Sequence, residues 1–129
     1  MASEQWQVAP VLVVRDMAAS LAYWRDCMGF AVIDTFKNPP VMAFMGRRGV
    51  QFMLRQTGGD PIPGTNRAYI DSGWDAHVWI DDADALHAEM KARGATVSEL
   101  CEPSYNNREF EVTDPDGYII AFGSEVRPG

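Results

Sequence analysis

Two helix signatures recur in this chain at nearly one offset, and that spacing limits the architecture before composition is considered. Asp16 is suited to cap a helix, because its carboxylate can accept from the free N–H groups of a first turn. Met17, Leu21, Trp24 and Met28 then recur at helical spacing on one face. Gly29 follows, where a left-handed C-terminal cap favours a residue without Cβ. The design returns with Asp82 as cap, Ala83, Leu86 and Met90 as apolar stripe, and Gly94 as stop. Asp82 follows Asp16 by 66 residues and Gly94 follows Gly29 by 65, which is an internal repeat of one structural unit.

Strand-like runs precede the helices, over about 8–15 and 76–80. Three more follow each helix: about 30–36, 41–45 and 50–56 in the first half, and about 96–101, 109–113 and 118–122 in the second. Asp114-Pro115-Asp116-Gly117 between the last two is a strong turn, since proline presets the first corner and glycine supplies positive φ. Each half therefore reads as strand, helix and three strands, an α+β pattern of two tandem βαβββ modules. A Gly/Pro-containing stretch separates them. The 129 residues form one domain, with module one over about 6–57, a linker over about 58–73 and module two over about 74–124.

With 47% hydrophobic residues the chain can build a core without a metal or disulfide staple. Cys27 and Cys101 have no metal-type spacing and read as reduced thiols. No apolar run reaches the length of a membrane span, and residues 1–5 do not resemble a secretory signal, so the cytoplasm is the expected compartment. A net charge of −7 argues against nucleic acid or an anionic membrane as partner and mildly favours neutral or cationic ligands. No phosphate-cradling loop, dinucleotide fingerprint or nucleophile elbow occurs.

Taken in order, several segments resemble the vicinal oxygen chelate superfamily of glyoxalases, bleomycin resistance proteins and dioxygenases. These are Pro10-Val11-Leu12-Val13-Val14-Arg15-Asp16, Ala22-Tyr23-Trp24, Met28-Gly29-Phe30, Ile80-Asp81-Asp82-Ala83-Asp84-Ala85-Leu86, and Arg108-Glu109-Phe110 through Asp114-Pro115-Asp116-Gly117. The last resembles the bleomycin-resistance branch most. The resemblance implies a curled mixed sheet whose modules form cups, usually completed by a second subunit, and hence a homodimer. In the metal-dependent enzymes of this superfamily, four inward-facing ligands, commonly His or Gln and Glu, hold a divalent ion.

Counting from the landmarks, the four ligand positions fall on Ala9, Met53, Asp75 and Ala121. Alanine has no donor atom and a thioether suits hard divalent ions poorly. Only Asp75, or His77 after a two-residue shift, could ligate, so no metal or other cofactor is expected.

Residues two apart on a strand share a face, so Asp75, His77 and Trp79 should point into the cup, joined by Met53 and Ala121 from other strands. In bleomycin resistance proteins the strand corresponding to His77 and Trp79 carries aromatic residues for flat rings. Trp79 could equally be core packing, His77 a hydrogen-bonded wall residue, and Arg108 a partner of Glu109 rather than of ligand. The expected ligand-binding set is Met53, Asp75, His77, Trp79, Arg108 and Ala121. The leading reading is a metal-free, non-catalytic protein that sequesters a planar small molecule, with cationic ones favoured. Its rivals are a metal-dependent lyase or dioxygenase, and a metal-free isomerase using His77 or Asp75 as base.

Overall fold

A computed structural model describes residues 6–58, 64–103 and 106–126. Strand β1 (Val11–Val14) enters helix α1 (Met17–Ala22), capped as expected by Asp16, whose Oδ1 accepts from the Ala19 N–H at 3.2 Å. The helix does not continue regularly to Met28. Tyr23–Cys27 form a wider π-helical turn that buries Trp24 against Phe30 and Phe52, with ring centroids 5.2 and 4.8 Å away. Gly29 then reverses the chain at φ +76°.

Strands β2 (Ala31–Phe36), β3 (Met42–Arg47) and β4 (Val50–Gln56) follow and complete a sheet of order β1-β4-β3-β2. β1 runs parallel to β4 and the other pairs are antiparallel. A short 3₁₀ turn, Asn66–Ala68, lies in the stretch read as linker, of which residues 59–63 fall outside the described set.

Module two repeats the plan with β5 (Ala76–Trp79), α2 (Ala83–Ala92), β6 (Thr96–Val97), β7 (Asn107–Thr113) and β8 (Ile119–Glu125) in the order β5-β8-β7-β6. Asp82 caps α2 through the Ala85 N–H at 3.1 Å. β6 is shorter than the expected 96–101, because the Ser98 hydroxyl takes the Glu111 N–H that would otherwise pair with a strand. Pairing resumes only at an isolated Cys101–Glu109 bridge.

Each sheet turns one face to a single shared core: Leu12, Val14, Phe52 and Leu54 from one, Val78, Phe110, Val112 and Phe122 from the other. Trp24 and Met90 from the helical segments fill the same core. Polar bonds cross the module boundary. The Arg47 guanidinium grips the Glu89 carboxylate with two hydrogen bonds of 2.8 and 2.7 Å, and holds that carboxyl below its ordinary range. Buried Asp116 accepts from the Arg15 N–H at 3.0 Å and the Ser20 hydroxyl at 3.3 Å. The Tyr118 hydroxyl both accepts from the Val13 N–H and donates to the Val13 carbonyl. With both inner faces spent on this core, the remaining faces of the sheets look outward. No helix among the described residues is long and apolar enough to cross a membrane.

Candidate functional site on the outer face of the second sheet

Alternation places His77 and Trp79 opposite the buried Val78, and Asn107, Glu109 and Glu111 opposite Phe110 and Val112. β8 runs between β5 and β7, and on this face it contributes Ala121 and Gly123. Ala121 is in register with His77 and Glu111, and Gly123 with Trp79 and Glu109. Small residues on the central strand leave a trough across which longer side chains meet. A Cβ built on Gly123 would lie 2.3 Å from the Asn107 amide nitrogen, so the trough requires glycine there.

In that trough His77 Nε2 lies 3.1 Å from Glu109 Oε2, and the Asn107 amide nitrogen donates to the same oxygen at 3.2 Å. The side chains of His77 and Glu109 are only 12% and 9% exposed. The indole of Trp74 meets the imidazole edgewise at 4.8 Å, and that of Trp79 lies across it at 4.4 Å. Trp79 is 66% exposed, so the expectation that it might be core packing is corrected: it is the solvent-facing ring of the group.

The wall behind these rings is pinned. Asp75 accepts from the Asn66 N–H through Oδ1 and from the Ile119 N–H through Oδ2, both at 2.9 Å. Arg67 bridges the Gly73 carbonyl and the Glu111 carboxylate. Asp75 is thus occupied in holding the 66–75 segment against the sheet, at the foot of the site.

The remaining expected site residues are dispersed. Met53 lies on the outer face of the first sheet, in register with Val11, and Ala121 forms the floor under His77. Arg108 does form an ion pair, but not with Glu109. Adjacent strand residues face opposite ways, and its guanidinium reaches Asp84 at 2.9 Å and Glu102 at 3.8 Å on the other side. Residues 104–105, and with them Tyr105, fall outside the described set. Glu109, Asn107 and Trp74 were missing from the expected set. The alternation that assigns Phe110 and Val112 to the core would have placed the first two beside His77.

The donors at the superfamily's ligand positions do not fit a divalent ion. Met53 and Ala121 offer no hard ligand, both Asp75 oxygens serve backbone N–H groups, and no group of three metal-type side chains occurs among the described residues. Nor is a thiolate favoured at Cys101, whose thiol is pushed up by partial burial and by the charges of Glu109 and Glu111. A cleft of about 650 Å³ lies between the modules, lined by apolar Phe30, Val50 and Leu86 and by charged Arg47 and Asp81, and it shares Trp79 with the His77 group.

The solved structures that this chain is similar to share its whole architecture. A bleomycin-binding protein from bleomycin-producing Streptomyces verticillus, solved with copper(II)-bleomycin, is 24% identical over 94% of this chain and 97% of its own, with a TM-score of 0.69. The bleomycin resistance determinant encoded on transposon Tn5 is 16% identical over 94% and 98%, with a TM-score of 0.73. The fosfomycin resistance protein FosX of Listeria monocytogenes is 15% identical over 96% and 94%, with a TM-score of 0.68. These likenesses establish the fold. No curated protein matches the sequence significantly. The sequence profile of the Glyoxalase/Bleomycin resistance protein/Dioxygenase superfamily matches residues 7–122, nearly the full described chain, and the protein belongs to that superfamily.

Proposed function

We propose that this protein binds and sequesters a planar small molecule, preferentially a cationic one, without a metal and without turnover, as a cytoplasmic homodimer. The observation that carries the reading is the His77 imidazole held between Trp74 and Trp79, with the Trp79 ring left open to solvent. Flat rings stack on such surfaces, and the neighbouring Glu109 carboxylate favours positive charge.

The bleomycin-binding neighbours support the ligand class by analogy of fold. The dimer is supported by the outward faces. One chain leaves the Met53 face and the His77 face on separate sheets, so a closed cup calls for a second copy, and Val11, Ile33 and Phe36 are exposed on the first sheet. Two free cysteines suit a reducing compartment. A second reading, metal-free proton transfer by His77, is favoured by the carboxylate that orients its ring.

The test is a fluorescence titration with bleomycin and with a planar acridine dye, on protein shown to be dimeric by light scattering. Folded, dimeric Trp79→Ala should bind about 5- to 150-fold more weakly, from the typical worth of one stacked ring. Unchanged affinity in that variant, or monomers at micromolar concentration, would overturn the proposal.

A further inference from the structure

The cleft between the modules is held open from a single turn. Arg47 and Arg48 sit at the connection of β3 to β4 in module one, and both reach across to module two. Arg47 grips Glu89 on α2, and the Arg48 guanidinium lies 3.7 Å from the Asp81 carboxylate just before that helix. Arg48 stands there at a left-handed φ of +49°, which disfavours any residue with a Cβ. The two anchors are about two helical turns apart, so the struts keep the apolar walls from collapsing onto one another. Between them the lining is Phe30, Val50, Val78, Leu86 and Phe122. On the α2 side the exposed Ala85 is short and leaves room. At about 650 Å³ the space matches that of small-molecule sites.

The charges around this cleft are already balanced. Glu89 is taken by Arg47 and Arg93, Arg48 and Asp81 face one another, and Asp82 caps α2 through the Ala85 N–H. A charged ligand would lose water here with no unpaired opposite charge to receive it. We infer that the cleft is a second ligand site, for a neutral, apolar molecule of two or three aromatic rings. The apolar walls supply the burial, and the solvent-exposed Arg48–Asp81 pair stands at the mouth. β5 is an edge strand, so Trp79 at its end borders both this cleft and the outer face of the second sheet. The inference goes beyond the cation-binding aromatic wall proposed above: it shares that one residue and differs in the chemistry of its ligand.

The neutral dye phenylnaphthylamine and its sulfonated form, anilinonaphthalene sulfonate, share one ring skeleton and differ in charge. Both brighten in apolar surroundings, so titration of the intact protein compares them directly. The neutral dye should bind with saturation at least about ten-fold more tightly than the sulfonate. Its affinity should not weaken as salt rises from about 50 to about 500 mM, unlike that of a cation. Ala85→Phe places a ring in the cleft from an exposed helix position and keeps the backbone N–H that Asp82 caps. It should weaken the neutral dye by about five-fold or more, while the acridine dye on the Trp79 face binds as before. Equal binding of the two naphthalene dyes, failure of the neutral one to bind, or its unchanged affinity in folded Ala85→Phe overturns the inference. So does a parallel loss of the neutral and acridine dyes in that variant, which would make the two sites one. If Ala85→Phe does not fold, the wild-type comparison of the naphthalene dyes decides alone. If wild type binds the neutral dye as expected but not the acridine, the aromatic-wall reading falls and this one stands.

Discussion

Asp114 shows how one side chain can set the pH response of the whole fold. Its Oδ1 accepts from the Asp116 and Tyr118 N–H groups, while Oδ2 is buried without a hydrogen-bond partner. Burial outweighs those two bonds and raises the carboxyl from 3.8 to about 6. The Trp24 indole lies near enough to offset this slightly. The folded state therefore holds this proton more tightly than the unfolded chain does. Its stabilising effect is full below about pH 4 and lost as pH rises through about 6, up to about 3 kcal/mol in all. Glu89, lowered by Arg47, works with the opposite sign at more acid pH. Melting temperatures measured from pH 4 to 8 should fall more steeply in wild type than in Asp114→Asn, which keeps an oxygen for the two N–H groups. Parallel pH curves for the two proteins would contradict this assignment.

Among the elements, the helices were legible in the sequence because their signals are local: a capping aspartate, a 3.6-residue stripe and a stopping glycine. The π turn at Tyr23–Cys27 was not, since one extra residue in a turn leaves the apolar spacing almost unchanged. The truncation of β6 depends on the hydroxyl of Ser98 reaching a distant strand, which no local pattern reports. The candidate site was half legible: period-two alternation paired His77 with Trp79, whereas adjacency of opposite charges misassigned Arg108 to Glu109. The two stopping glycines also differ in a testable way. Both have positive φ, +76° at Gly29 and +92° at Gly94, but a Cβ at Gly29 would meet Arg47 Nη1 at 2.4 Å, and one at Gly94 meets nothing within 4 Å. Gly94→Ala should cost about 1–2 kcal/mol for the left-handed backbone alone. Gly29→Ala should cost distinctly more, because it also dislodges the guanidinium that ties Met28 and Glu89 together. Urea denaturation of both variants provides the comparison, and equal losses would remove the Arg47 contribution.

At the scale of the whole molecule, the repeat specified two modules but not how they dock, because docking is decided by contacts between distant parts of the chain, from Arg47 with Glu89, 42 residues apart, to Val13 with Tyr118, 105 apart. That last contact has a consequence for the company the protein keeps. A strand at the border of a sheet offers a ladder of unused backbone groups to any other extended chain. At Val13 both rungs are already taken by one phenol, which imitates a neighbouring strand without being one. Tyr118→Phe keeps the ring and gives those rungs back. It should leave the monomer fold largely intact yet raise the rate of aggregation on mild heating, followed by turbidity and thioflavin fluorescence. A Tyr118→Phe protein as durable in solution as wild type would show that the border of β1 is guarded by something else. One hydroxyl thus acts as a chaperone written into the chain, keeping a sticky border from ever being read as an invitation.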